Sequence, residues 1–277
     1  MHRCGGVTQA IPFIKMHGLG NDFIVLDARE APLPPMTPAI ARALADRRTG
    51  IGCDQLVLLE PDETHAFRMR IFNSDGSEVE ACGNASRAVA VLHGAPVTIA
   101  TGGGPITLEP TDGGARVDMG VPRFDWDAIP LAYPMDTVTM PVGWESLAGP
   151  MAINVGNPHV IFFVEDADAV ALDRLGPLIE HDPLFPSRVN VNVAHLAGPD
   201  HLKLRVWERG AGLTRACGTG ACATAVAAIR RGLVQSPVRV TLPGGDLVIA
   251  WAPGGSILMS GAAAESFRGI FDWDDYS

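Results

Sequence analysis

RIFNSDGSEVEACGNASRAVAV (residues 70–91) and RVWERGAGLTRACGTGACATAV (residues 205–226) are two versions of one pattern. Aligned without a gap at an offset of 135, they share Arg70/Arg205, Ala81/Ala216, Cys82/Cys217, Gly83/Gly218, Ala88/Ala223, Ala90/Ala225 and Val91/Val226. Ile71-Phe72 against Val206-Trp207 keeps the apolar character. A second echo lies upstream, where Gly20-Asn21-Asp22-Phe23-Ile24-Val25 matches Gly156-Asn157-Pro158-His159-Val160-Ile161 at an offset of 136. Two echoes in the same order at nearly the same spacing predict two homologous halves of about 130 residues, an ordinary domain size.

Working outward, each half reads as strands around one short buried helix. Strand-like runs rich in β-branched residues are Phe23–Asp27, Leu56–Leu59, Phe67–Phe72, Pro96–Ala100, His159–Val164, Leu202–Trp207, Val238–Leu242 and Asp246–Trp251. Each Cys-Gly opens a helix, Ala85–His93 closed by Gly94 and Ala221–Arg231 closed by Gly232. Both helices are apolar nearly all round, the mark of burial. The expected class is therefore α+β, a sheet curled around a helix twice over. Thr37-Pro38 opens an amphipathic helix ending near Gly50, 167–181 reads as a peripheral helix, and the Pro-rich stretch 122–141 reads as the crossing between halves.

Composition limits the function classes. The 277 residues are 47% hydrophobic and 19% charged, too apolar for a disordered chain. A net charge of −10 supplies no basic footprint for nucleic acid or for anionic lipid. No apolar run approaches the roughly 20 residues of a membrane span, and the start of the chain has no signal-like apolar stretch, so a cytoplasmic protein is expected. Five widely scattered cysteines argue against a disulfide framework.

The chemistry centres on Cys82 and Cys217. A thiol at a helix N-terminus lies among unpaired N–H groups and the positive dipole end, which favour the thiolate and also suit a carboxylate ligand. Inversion at a carbon needs a base on one face and an acid on the other, and a cysteine pair can exchange those roles. A single cysteine before a helix is ordinarily inert, and Cys4, Cys53 and Cys222 are read that way; repetition in matched contexts sets Cys82 and Cys217 apart. Cys217-x4-Cys222 has no partners at metal-site spacing, so no metal is expected. Gly218-Thr219-Gly220-Ala221-Cys222-Ala223 matches a dinucleotide fingerprint but lacks the surrounding strand–helix alternation. His159 and Glu208 lie in the repeats and can accept a thiol proton, though the residues alone leave that assignment open. Asn21, Asn73, Asn157 and Asn190, with Arg209, lie near the motifs; asparagine ordinarily marks a turn, but gathered beside a cleft these would suit a polar, zwitterionic ligand.

At these residues the sequence resembles the diaminopimelate epimerase family, from about Ile11 to about Phe271. The carriers are KMHGLGNDFIVLD (15–27), GIGCDQLV (50–57), FNSDGSEVEACGN (72–84), NVGNPHVIFF (154–163), FPSRVNVN (185–192), WERGAGLTRACGTGACA (207–223) and LPGGDLVI (242–249). The resemblance implies two pseudo-symmetric halves, 1–125 and 126–262, each a mostly antiparallel barrel around a central helix, with 263–277 returning to the first and the active site between them. It implies a cofactor-independent isomerase of lysine and peptidoglycan precursor synthesis that interconverts LL- and meso-2,6-diaminopimelate. Cys82 and Cys217 would be the acid/base pair, with His159 and Glu208 assisting thiol deprotonation. Gly83-Asn84 and Gly218-Thr219 would hold the reacting α-carboxylate, and Asn21, Gln55, Asn73, Asn157, Asn190, Glu208 and Arg209 would contact substrate. Of these, Asn73, Asn157, Asn190 and Arg209 would grip the distal carboxylate of a diamino dicarboxylic acid. Two positions depart from the family pattern, Ala85 for a common Gly and Leu213 for a frequent Glu. Residues 1–10 fall outside the resemblance. A proline-racemase-like enzyme and a non-catalytic thiol switch are the rival readings, and the sequence leaves the assembly open, a homodimer included.

Overall fold

Each hairpin of β-branched residues is followed by a helix and a further strand, and this unit recurs. The computed structural model describes residues 9–80 and 82–276; residues 1–8, Cys4 among them, Ala81 and Ser277 lie outside them. The first run comprises β1 (Ala10–Gly18), β2 (Asn21–Asp27), α1 (Pro38–Ala45), β3 (Gln55–Glu60), β4 (Arg68–Asn73), β5 (Glu78–Val79), α2 (Gly83–His93), β6 (Val97–Thr101), β7 (Gly104–Thr111) and β8 (Gly114–Asp118). A small hairpin, β9 (Gly143–Trp144) and β10 (Leu147–Ala148), precedes the second run. That run comprises β11 (Met151–Asn154), β12 (Pro158–Phe163), α3 (Leu172–Glu180), β13 (Asn190–Gly198), β14 (His201–Glu208), β15 (Gly212–Thr214), α4 (Gly218–Arg230), β16 (Val238–Leu242), β17 (Gly245–Ala250) and β18 (Leu258–Ala262). The last strand is β19 (Ala264–Asp272).

The chain forms two compact units. One ends at Ala115 and resumes at Ala263; the other is Arg116–Ala262. In the first, β1 pairs antiparallel with β2 and β19, β2 runs parallel to β3, β3 antiparallel to β4, and β4 parallel to β6. In the second, β11–β12 is antiparallel, β12–β13 parallel, β13–β14 antiparallel and β14–β16 parallel. Phe23↔Gln55 and His159↔Asn190 open the two parallel ladders, so the register repeats along with the order. The fold is α+β and sheet-dominated, as the sequence led us to expect. Strands β11, β12, β13, β14, β16 and β17 all pack on α4, so that sheet curls around its helix; β1, β7 and β19 pack on α2.

Helix boundaries differ from expectation in instructive ways. Helix α1 starts as read, with Thr37 Oγ1 accepting from Ile40 N, but stops at Ala45 and not near Gly50. The Asp46 carboxylate draws the N–H groups of Arg48 and Thr49 into a turn that competes with the helix. Only Leu172–Glu180 of 167–181 is helical, because Arg205 on β14 binds the carbonyls of Ala167 and Val170. Helices α2 and α4 begin two and three residues earlier than read, since Cys82 and Cys217 themselves are the N-caps. Residues 122–141, read from their prolines as a crossing, bury Ile129, Leu131 and Met140 in the core of the second unit.

Candidate active site

Gly20 and Gly156 sit at the turns of the β1–β2 and β11–β12 hairpins with φ +84° and +102°, a region that side chains with Cβ rarely enter. Each glycine thereby delivers an asparagine, Asn21 or Asn157, to the mouth of the following strand. In the first unit Asn84 Nδ2 donates to Asn21 Oδ1 at 3.1 Å. In the second, Asn157 Nδ2 donates to Thr219 Oγ1 at 3.3 Å. Asn84 and Thr219 occupy the same place in the first turns of α2 and α4, so the duplication extends to individual contacts.

In the first unit, Cys82 is half-buried at the N-cap of α2, and Gly83 and Asn84 form the turn behind it. Asn21 Nδ2 donates to Asp54 Oδ2 at 3.0 Å, and Arg47 bridges Asp54 and Asp22. Burial raises the Asp22 pKa, but Arg47 and Lys15 outweigh it and hold the carboxyl far below its ordinary range. On the facing register pair, Gln55 Nε2 donates to Asn73 Oδ1 at 3.0 Å. Gln55 Oε1 is buried without a hydrogen-bond partner among the described residues. Asn73 is steadied by its donation to Ser77 Oγ.

In the second unit, Cys217 caps α4 with its sulfur, which accepts from Gly220 N at 3.4 Å and lies 3.6 Å from Thr219 Oγ1. Glu208 ends β14 and is hydrogen-bonded to the Cys217 thiol and to Thr214 Oγ1, the latter at 2.5 Å. Burial raises the Glu208 pKa. Burial, then the neighbouring Glu208 charge, pushes Cys217 well above the usual thiol range, with the Thr219 and Gly220 donors opposing. Burial thus overcomes the helix dipole at this thiol. His159 is fully buried, and burial holds it down to about 3. Both its ring nitrogens face amides, Nε2 toward Asn157 Oδ1 at 2.8 Å and Nδ1 toward Asn192 Nδ2 at 3.0 Å. Asn190 Oδ1 accepts from Arg209 N, and Arg209 Nη1 donates to Ser187 O. Glu180 on α3 accepts from Trp207 Nε1 and Gly210 N, clamping the turn that carries Glu208 and Arg209.

The structure thus gathers Cys82, Asn84 and Asn21 in one constellation and Cys217, Thr219, Asn157, His159 and Glu208 in another. Gln55 with Asn73 and Asn190 with Arg209 form separate pairs. The sequence reading passed over Asp54, Thr214, Glu180 and Asn192. Asn192 had a usable signal: it stands in the repeat register where the first half has Val57. Among the described residues no group of three or more His, Cys, Asp or Glu is placed to hold a metal ion, and no helix is long and apolar enough to cross a membrane.

Comparison with known proteins gives consistent matches. The family model for diaminopimelate epimerase matches residues 13–124 and 151–265. A diaminopimelate epimerase of Erythrobacter litoralis is 70% identical over 267 residues, 96% of this chain and 99% of that one. One from Sphingopyxis alaskensis is 67% identical over 264 residues, 95% of this chain and 98% of its own. Among solved structures, a phenazine biosynthesis protein of the PhzF family from Bacillus anthracis superposes with TM-score 0.67 at 15% identity, covering 95% of this chain and 99% of that chain. A hydroxyproline epimerase from Agrobacterium vitis gives 0.64 at 15% identity, covering 95% and 93%. At such identity these structures speak for the fold.

Proposed function

The chain belongs to the diaminopimelate epimerase family of isomerases, and from that premise we propose that it interconverts LL- and meso-2,6-diaminopimelate by proton transfer between two cysteines. The observation that carries the reading is the repeated constellation in which Cys82 and Cys217 each cap a buried helix whose first turn is bonded to a hairpin asparagine. In the reaction one cysteine, as thiolate, takes the α-proton, so a C–H bond breaks and an S–H bond forms. The electron pair spreads into the α-carboxylate. The second cysteine, as thiol, returns a proton to the opposite face, and the two cysteines end with their protonation states exchanged.

Backbone N–H groups at the starts of α2 and α4, around Gly83-Asn84 and Gly218-Thr219, suit the carboxylate on which that charge develops. Glu208, bonded to Cys217, accepts or returns the thiol proton as the cysteine changes state. His159, expected to assist thiol deprotonation, has its two ring nitrogens against Asn157 and Asn192 and acts in this reading by holding Asn157. Gln55 Oε1, buried without a hydrogen-bond partner among the described residues, is an acceptor for a substrate ammonium. Asn73, Asn157, Asn190 and Arg209 bind the distal carboxylate, giving preference for a diamino dicarboxylic acid. The reading takes the enzyme as working without a cofactor in the cytoplasm, the compartment of lysine and peptidoglycan precursor synthesis, on a small molecule and not on nucleic acid; a homodimer is the assembly to check by light scattering.

The test is reduced, purified protein with LL-diaminopimelate in D2O, following meso product and α-deuterium together. Product carrying solvent deuterium is expected, and Cys82→Ser or Cys217→Ser should abolish epimerisation with the fold retained. No exchange with this substrate, but exchange with proline, would replace the substrate assignment. An active double cysteine variant would end the two-base mechanism.

A further inference from the structure

Because the two units share one topology and register, a buried polar group in one that is apolar in the other is a difference made on a common scaffold. Two such positions adjoin in the second unit, with a change of size beside them. His159 stands where Phe23 stands, Asn192 where Val57 stands, and Gly220 where Ala85 stands. His159 and Asn192 are completely buried, as are Phe23, Val57 and Ala85. The three residues also touch. Asn192 Nδ2 lies 3.0 Å from His159 Nδ1. A Cβ on Gly220 would fall 2.7 Å from Asn192 Oδ1 and 3.2 Å from Cys217 Sγ, so the amide occupies the space a larger residue would need.

The polarity of this chain of hydrogen bonds is fixed at its inner end. Asn192 Nδ2 also faces Val160 O at 3.1 Å and Asn190 O at 3.3 Å. Carbonyl oxygens only accept, so the group facing them is the NH2 and not the amide oxygen. The NH2 has two hydrogens, and its two shorter contacts are His159 Nδ1 and Val160 O, so Nδ1 accepts and a neutral imidazole carries its proton on Nε2. That N–H points at Asn157 Oδ1, which turns the Asn157 NH2 toward Thr219 Oγ1 in the first turn of α4. The orientation of a side chain at the mouth of the site is thus set by two carbonyls in the strand ladder. In the first unit the matching asparagine, Asn21, is oriented by Asn84 and Asp54 instead.

We propose that Asn192 is a positioning residue of the epimerase site, locking His159 as the Nε2–H tautomer and through it aiming Asn157, with Gly220 supplying the space the amide needs. The effect on turnover rests on the function proposed above; the tautomer does not.

The 277-residue chain, labelled with 15N-histidine, tests this directly, His159 being identified by the signal lost in His159→Gln. Long-range 1H–15N spectra of the unliganded wild type are expected to show His159 neutral with its proton on Nε2 from pH 6 to 9. Asn192→Val installs the residue the first unit carries, and should remove the single Nε2–H signature. It should also lower kcat/KM for LL-diaminopimelate by about tenfold to a hundredfold, the usual consequence of a small misplacement in a site. Gly220→Ala should act likewise by displacing the amide. Asn192→Val/Gly220→Ala should melt above Gly220→Ala alone, since Val57 and Ala85 coexist in the first unit, yet leave the tautomer unlocked. A wild-type protein with the proton on Nδ1 overturns the proposal. So does an Asn192→Val protein that keeps either the Nε2–H signature or full kcat/KM. The wild-type spectrum needs no substrate, so failure of the wild type to epimerise would count against the proposed function and leave the tautomer result to decide the lock.

Discussion

Cys217 shows how two effects at one residue are ranked. A helix N-terminus stabilises an anion by about 0.3–1 kcal/mol, reaching roughly 2 in favourable partly buried sites. Complete burial shifts a titrating group by up to 3–5 pKa units, about 4–7 kcal/mol, so desolvation wins at a thiol only 3% exposed. In the unliganded protein, iodoacetamide labelling of Cys217, followed by peptide mass mapping, should therefore keep rising through pH 9; a plateau below pH 8 would mean a resident thiolate. His159 gives the complementary case. Its folded pKa, about 3, lies below the unfolded 6.5, so the unfolded chain takes up the proton first on acidification. Stability is then fully present above pH 6.5 and lost as the pH falls toward 3. Between pH 6.5 and 4.5 that loss is about 2–3 kcal/mol, and melting curves of His159→Gln should show a shallower decline than wild type over that span. These two residues also mark what the sequence could convey. Their positions were legible because the repeat singled them out, but their protonation depends on how completely the neighbouring strands enclose them, which no local pattern records.

At the scale of elements, strands β2, β3, β4, β6, β12, β14, β16 and β17 and both buried helices were legible because period, capping and β-branched content agree. Boundaries were not, because side chains distant in sequence decide them: Arg205 keeps 167–171 out of α3, and Asp46 ends α1. Strand β19 was not legible in its own residues, most of them exposed and weakly alternating, and the return of 263–277 came only from the family resemblance. The packing of α3 carries a sharper dependence. Gly176 lies against the Trp207 ring, and a Cβ there would fall 2.4 Å from Cγ and 2.5 Å from Cδ2. The same indole is held by Glu180 and stands next to Glu208. Gly176→Ala must push α3 or the ring aside, costing about 1–3 kcal/mol by overpacking. Differential scanning calorimetry should register a Tm lower by several degrees, and kcat/KM should fall because the displaced turn carries Glu208 and Arg209. Unchanged Tm would show that the helix yields without cost.

The duplication is not symmetric at the level of the whole molecule, because the chain closes its two units differently. The second is one continuous segment, Arg116–Ala262, with a core of its own around Phe162, Leu172, Ile179 and Val191. The first needs both chain ends: Ile11, Phe13, Phe271 and Trp273 share one cluster, and β1 is flanked by β19 over Ala10–His17. Deleting 263–277 removes that nine-residue strand and its aromatic partners, among them the Phe13–Phe267 contact at 6.0 Å between ring centroids. Each large apolar side chain so lost is worth about 1.5–3 kcal/mol, and a domain's whole margin is only about 5–15. The truncated chain should therefore lose the first unit while retaining the second. Limited thermolysin digestion with mass spectrometry reads this out, since peptides from 9–115 should vanish early and a fragment near 116–262 should persist. Arg116–Ala262 expressed alone should unfold cooperatively in urea. Equal resistance of both segments after the deletion would show that β19 is dispensable, and that the repeated strands of the first unit close its core unaided.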